Sequence, residues 1–214
     1  MKKLVYLFFL GLFFGNAQEF RDFSKEVVAI QRRIDTTWNP KIATLVFTGS
    51  SSIRLWDDLQ ERFPEHQILN TGFGGSLSYD LLGYLDKLVL NYHPSKVFIY
   101  EGDNDLFYRR KPKEIISNFV NIIEKIKGKN HNAKIVIISV KPSIARWKLR
   151  RKCHKLNEQL KQLAATDSAV AFVNIWDPML KGRKVNKSLF VEDGLHMNKE
   201  GYDIWQEALQ IHMD

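Results

Sequence analysis

Four short stretches carry residue types that could do chemistry, and each alone has a plainer explanation. Gly49-Ser50-Ser51-Ser52 runs into the helical pattern of Ile53 to Trp56. A serine lifted onto a tight turn at a helix start can serve as a nucleophile, with free backbone N–H groups beside it for an anion; serine is also simply a preferred N-cap. Asp193 and His196 stand three residues apart. A carboxylate accepting from one imidazole nitrogen fixes the tautomer and leaves the other nitrogen as a base, although a histidine near a helix start can equally cap or lie on the surface. Asn70-Thr71-Gly72-Phe73-Gly74-Gly75-Ser76 is glycine-rich. Leu77 stands where a dinucleotide fingerprint needs glycine, and no Gly-Lys-Ser/Thr phosphate loop follows. What remains is bare backbone offered to a ligand, or a turn that needs positive φ. In Glu101-Gly102-Asp103-Asn104-Asp105, Asn104 could donate its amide, or the stretch could be a polar turn. Its carboxylates find no further group to complete a divalent-cation ligand set.

The elements between these stretches decide whether they can meet. Short β-rich runs fall at Thr44–Thr48, Gln67–Asn70, Lys96–Tyr100, Lys134–Val140 and Val170–Ile175. Apolar residues at helical spacing separate them. They are Leu77, Leu81, Leu85, Leu88, Tyr92; then Ile115, Phe119, Ile122, Ile126; then Leu149, Cys153, Leu156, Leu160, Leu163; and finally Tyr202, Trp205, Leu209. An opening helix is marked by Phe20, Phe23, Val27, Ile30 and Ile34, ending before Pro40. Strands alternating with helices predict an α/β fold, a three-layer, doubly wound, five-stranded parallel sheet. The continuous apolar runs VFIY and IVIISV suit strands covered on both faces. In such sheets ligands sit beyond the carboxyl ends of the strands, and all four stretches follow strands. Together they supply the nucleophile, base, orienting carboxylate and oxyanion donors of a serine esterase.

Composition narrows the class. The chain has 214 residues, 44% hydrophobic and 26% charged, within the range of globular proteins. The single Cys153 excludes an internal disulfide and a multi-cysteine zinc site. Lys2 and Lys3, an uncharged run from Leu4 to Phe14, and Gly15-Asn16-Ala17 form the pattern of a cleaved export signal over residues 1–17, which leaves one domain over 18–214. The run is too short for a spanning helix, so no stable membrane insertion is expected once it is removed. The net charge is +8, or +6 without Lys2 and Lys3. For an exported periplasmic or secreted chain, nucleic acid is not the expected partner.

The four stretches together resemble the SGNH hydrolases, also called GDSL lipases/esterases, from about Leu45 to about Leu209. The family's first block matches Val46 to Ser51, and the match carries its nucleophile onto Ser51. The Asn-x-Gly-x-x-Gly block matches Asn70 to Gly75 and implies Gly75 as a backbone oxyanion donor. The Gly-x-Asn-Asp block matches Gly102 to Asp105 and implies Asn104 as the side-chain donor. The Asp-x-x-His block matches Asp193 and His196. Ser50 and Ser52 depart from the aspartate and leucine usual on either side of the nucleophile. The resemblance implies a flavodoxin-like fold and ester hydrolysis without metal or cofactor, through an acyl-enzyme on Ser51.

Two loops that should edge the site are cationic. One carries Arg109, Arg110 and Lys111; the other carries Lys141, Arg146, Lys148, Arg150, Arg151 and Lys152, with Trp147 among them. Trp147, Arg146 and Arg109 are therefore expected to bind substrate, with an acidic glycan or phospholipid in view, although Lys148 to Lys152 could equally be the solvated face of a helix. No long apolar lid segment is evident, which favours short acyl groups on carbohydrate. A lysophospholipase, a thioesterase and a non-catalytic glycan-binding protein are the alternatives.

Overall fold

The computed structural model describes residues 21–213. Residues 1–17, read above as an export signal, lie outside them, as does Phe20. The helices are α1 (Ser24–Asp35), α2 (Ser51–Arg54), α3 (Leu59–Arg62), α4 (Ser78–Leu88), α5 (Asp103–Phe107), α6 (Pro112–Lys129), α7 (Arg150–Ala164) and α8 (Lys199–Gln210). The main strands are β1 (Thr44–Gly49), β2 (Gln67–Asn70), β3 (Lys96–Tyr100), β4 (Lys134–Ile138) and β5 (Val170–Val173). They form one parallel sheet in the order β2-β1-β3-β4-β5. A two-stranded antiparallel hairpin, Leu180–Lys181 with Lys184–Val185, has no counterpart in the sequence reading.

Alternation along the strands builds two cores. Val46, Val97, Ile99, Ile135 and Ile137 face one side, where α1, α4, α6 and α7 cover them through Ile30, Leu85, Phe119 and Leu156. Phe47, Phe98, Tyr100, Val136 and Ile138 face the other, against Trp56, Leu59 of α3 and Trp205 of α8. Neighbouring residues of β3 and β4 thus point to opposite layers, and both layers are apolar. That is why these strands read as continuous hydrophobic runs rather than alternating ones. Burying each large side chain contributes about 1.5–3 kcal/mol, so the sheet is fixed from both faces.

Two strands end earlier than the sequence suggests. β4 stops at Ile138, not Val140, because Asn157 of α7 takes both backbone groups of Val140: its Oδ1 accepts from the Val140 N–H at 2.8 Å and its Nδ2 donates to the Val140 carbonyl at 3.0 Å. β5 stops at Val173, not Ile175, because the Ile175 N–H turns to the Ser139 hydroxyl at 3.0 Å. Leu77 is the N-cap of α4 rather than part of it, and Leu149 lies in a short turn before α7. The strand order reverses direction around β1, which sets β2 on one side and β3 on the other. The carboxyl ends of these three strands open onto the crevice where ligands bind in such sheets.

Candidate active site

β1 is followed immediately by Ser50 and α2. The Ser50 N–H donates to the Tyr100 carbonyl of β3 at 3.1 Å, which ties the turn to the neighbouring strand end. Ser51 is the first residue of α2, so its N–H has no carbonyl of its own helix to bond. Of the three serines left open by the sequence, Ser51 is the one that faces a base: its Oγ lies 2.9 Å from His196 Nε2. Ser50 and Ser52 are buried, and Ser50 makes no side-chain cap bond.

His196 and Asp193 sit on a loop held at both ends. Phe190 pairs with Met197, the Val191 N–H donates to the His196 carbonyl at 3.0 Å, and Asn198 caps α8 by accepting from the Gly201 N–H at 3.1 Å. Asp193 Oδ1 accepts from the N–H groups of Leu195 (2.8 Å) and His196 (2.9 Å), while Oδ2 faces His196 Nδ1 at 2.5 Å. Desolvation would raise the Asp193 carboxyl, but the two N–H groups and the imidazole outweigh it and hold it down at about 2. An ionised carboxylate accepts from Nδ1–H, which leaves the Nε2 lone pair facing the Ser51 hydroxyl.

Gly75 and Asn104 flank the crevice from β2 and β3. Gly75 has φ +72, and a Cβ there would meet nothing within 4 Å. Its N–H bonds no described residue, but the peptides on either side are anchored. The Gly74 N–H donates to Glu26 at 2.9 Å, and the Gly75 carbonyl accepts from Arg21 at 2.7 Å. Arg21 also pairs with buried Asp80 at 3.0 Å, and Asp80 caps α4 through the Leu77 N–H. Asn104 is buried; its Nδ2 donates to the Ser76 carbonyl at 2.9 Å, and its Oδ1 accepts from Arg146 at 2.9 Å. Beneath this loop the Ser76 hydroxyl donates to Glu101 at 2.5 Å. Burial pushes the Glu101 carboxyl well above the usual range, and nearby Asp105 adds to the effect.

The structure redistributes the expected cationic rim. Arg146 is not on it: its side chain is only 10% exposed, pairs with Asp103 at 2.8 Å and lies over the Phe107 ring at 4.5 Å. Lys141 is fully buried, donates to the Leu195 carbonyl at 2.7 Å and stands 3.7 Å from Asp103. Arg109 is exposed at a positive φ of 60° beyond the end of α5. Arg110 lines a different cleft with Tyr79 and Asp105. Trp147 is half-buried and stacked on Trp176 at 6.2 Å, so that neighbour takes one ring face. It also lines a cavity of about 490 Å³ with Ile144 and Val185, edged by Lys181, Lys184 and Lys187. These lysines come from the unforeseen hairpin and the turn after it. The run Lys181-Gly182-Arg183-Lys184, a glycine set among cations, was the sequence signal that could have marked them. The backbone anchors Arg21 and Glu26, and Glu101 beneath the Ser76 hydroxyl, were also missed. Among the described residues no group of three His, Cys, Asp or Glu could hold a metal ion, and no helix is long and apolar enough to cross a membrane.

The family model for the GDSL-like lipase/acylhydrolase family matches residues 37–204. Among solved structures, a Streptococcus pneumonia protein whose name refers to platelet activating factor is 22% identical, with a TM-score of 0.79 over 89% of this chain and 92% of that one. A GDSL-like lipase from Bacteroides thetaiotaomicron is 24% identical, with a TM-score of 0.72 over 85% and 96%. A carbohydrate esterase family 3 protein from Talaromyces cellulolyticus is 15% identical, with a TM-score of 0.67 over 80% and 96%. None of the curated proteins compared matches the chain.

Proposed function

The chain belongs to the GDSL-like lipase/acylhydrolase family, and we propose that it is an exported serine esterase that removes short acyl groups, acetyl above all, from carbohydrate esters. The observation that carries this reading is the continuous relay from Asp193 through His196 to Ser51, at 2.5 Å and 2.9 Å. His196 takes the proton of Ser51 as its Oγ attacks the ester carbonyl, and Asp193 stabilises the imidazolium that forms. The oxyanion is received by the N–H groups of Ser51 and Gly75 and by the free N–H of the Asn104 amide. His196 then protonates the leaving alcohol. Water, deprotonated by the same nitrogen, attacks the acyl carbonyl, and His196 returns that proton to Ser51 Oγ as the acyl–oxygen bond breaks and the acid leaves. No step calls on a metal or cofactor.

The carbohydrate preference draws support from the Talaromyces neighbour's name and from the export pattern of residues 1–17. The cavity beside Trp147 favours an acidic alcohol partner. Its walls, Ile144, Trp147 and Val185, are apolar, its rim carries three lysines, and the Gly194 carbonyl of the histidine loop accepts from the Ala145 N–H next to Ile144 at 3.0 Å. The test is a panel of acetylated neutral sugars, acetylated uronic acids and lysolipids, run with wild type and Ser51→Ala. Wild type is expected to deacetylate the sugars, acidic ones with the lower KM, and Ser51→Ala to lose about 10⁴-fold or more in kcat. Undiminished turnover by Ser51→Ala would overturn the nucleophile. Preference for lysolipids would replace the carbohydrate with a lipid.

A further inference from the structure

We propose that Arg146 is a positioning residue that arms Asn104 as an oxyanion donor, orienting its amide and strengthening its remaining N–H. The proposal rests on the reading of Asn104 given above and assigns Arg146 a role exerted through that amide.

The orientation follows from donor and acceptor chemistry alone. A guanidinium has only donors and a backbone carbonyl only acceptors. Arg146 Nη2 stands 2.9 Å from one end of the Asn104 amide and the Ser76 carbonyl 2.9 Å from the other, so Oδ1 must face the arginine and Nδ2 the carbonyl. Flipping the amide would set donor against donor and acceptor against acceptor. Nδ2 carries two hydrogens and Ser76 takes one. The second is therefore left for an incoming oxygen, in an amide that cannot turn.

The strengthening follows from charge. An amide whose oxygen accepts from a cation is polarised, and its N–H becomes a better donor; this cooperativity is larger where water is excluded. Both groups meet that condition, since Asn104 is 6% exposed and the Arg146 side chain 10%. Arg146 is itself fixed from two further directions, by Asp103 at 2.8 Å and by the Phe107 ring at 4.5 Å. Asp103 also faces Lys141, whose Nζ holds the carbonyl of Leu195, the residue before His196. One buried carboxylate thus ties the donor and the base into a single frame. A polarised donor gains most when negative charge develops on the carbonyl oxygen, so its effect belongs to kcat rather than KM.

The experiment is a double-mutant cycle with Arg146→Met and Asn104→Ala, reading kcat and KM on p-nitrophenyl acetate, with melting temperatures for every variant. Asn104→Ala is expected to lower kcat about 10²- to 10³-fold. Arg146→Met should lower kcat about 10- to 100-fold with KM within about threefold, and in the Asn104→Ala background it should change kcat by less than about threefold. Arg146→Lys keeps the charge without the fork and should recover part of the loss; it carries the test if Arg146→Met does not fold. Equal losses in both backgrounds, or a rise in KM at unchanged kcat, would overturn the proposal. Wild-type kcat in Asn104→Ala, with Ser51→Ala still inactive, would remove the donor assignment beneath it while leaving the esterase reading intact.

Discussion

Replacing Gly49 with alanine tests how the nucleophile is placed. Gly49 ends β1 at φ +127, and a Cβ there would lie 2.0 Å from the Tyr100 carbonyl oxygen, 2.8 Å from its carbon and 3.0 Å from its nitrogen. Ordinary contact begins at 3.4 Å, so the methyl group falls about 1.4 Å short of room. The obstructing atoms are backbone of the adjacent central strand, which no rotamer change can move. β1 and β3 must therefore part just where the Ser50 N–H donates to the same Tyr100 oxygen at 3.1 Å. Backbone strain of about 1–3 kcal/mol adds to about 1–3 kcal/mol for a buried N–H left without its acceptor, so a loss of about 2–6 kcal/mol is expected. Ser51 is two residues further on, and a displacement near 1 Å costs about 10²-fold in rate. Urea unfolding followed by circular dichroism gives the stability change, and turnover of p-nitrophenyl acetate by the folded fraction gives the rate. Gly75→Ala is the control for stability. It too has positive φ, at +72, but its Cβ would meet nothing within 4 Å, so only the strain of about 1–2 kcal/mol applies. A Gly49→Ala protein with the unfolding midpoint and kcat of wild type would refute the close approach of β1 to β3 as the device that sets Ser51.

Two titrations extend the test. The folded Glu101 carboxyl lies well above the unfolded value of 4.5, so folding favours its protonated form; stability is full below about pH 4.5 and declines as pH rises above it. Glu101→Gln removes this titration, and its melting temperature should be flatter than that of wild type between about pH 5 and pH 8; equal slopes would count against a buried, protonated Glu101. Asp193 has the opposite sign: its folded value of about 2 lies below the unfolded 3.8, so its contribution is present above that value and lost as pH falls through about 2. Because its side chain is 46% exposed, Asp193→Asn should barely move the neutral-pH melting temperature while lowering kcat by up to about 10⁴-fold, and a kcat near wild type would remove the orienting role.

The sequence showed the ends of strands better than what supports them. β1 and β2 were legible because their apolar runs stop at Gly49 and Asn70, and β3 because its run stops at the polar Glu101-Gly102, all of them local turn signals. The stops of β4 and β5 were not, because Asn157 and Ser139 impose them from elements distant in the chain. The same distinction separates the site residues. Ser51, Gly75 and Asn104 follow strand ends in short blocks, which puts them on one edge of the sheet, while Asp193 and His196 fall in one short block just ahead of α8.

Lys141 and Arg146 lie in the same kind of loop, and by composition they read as a solvated, substrate-facing rim. What compensates their burial is Asp103, a carboxylate at the start of α5. Uncompensated, either cation would pay a desolvation penalty that disfavours its charged form, and burial does pull the Lys141 ammonium below its ordinary value against the attraction of Asp103. The Arg146 guanidinium presents a planar fork of donors that reaches Asn104 and Asp103 together, whereas an ammonium is a compact point charge. Of the two cations, it is therefore the one suited to stand behind an oxyanion donor, and lysine is the one suited to hold a single carbonyl. Charge in a loop becomes scaffold or rim according to whether the tertiary fold brings it a partner, and no local pattern around positions 141 and 146 records that the partner is Asp103.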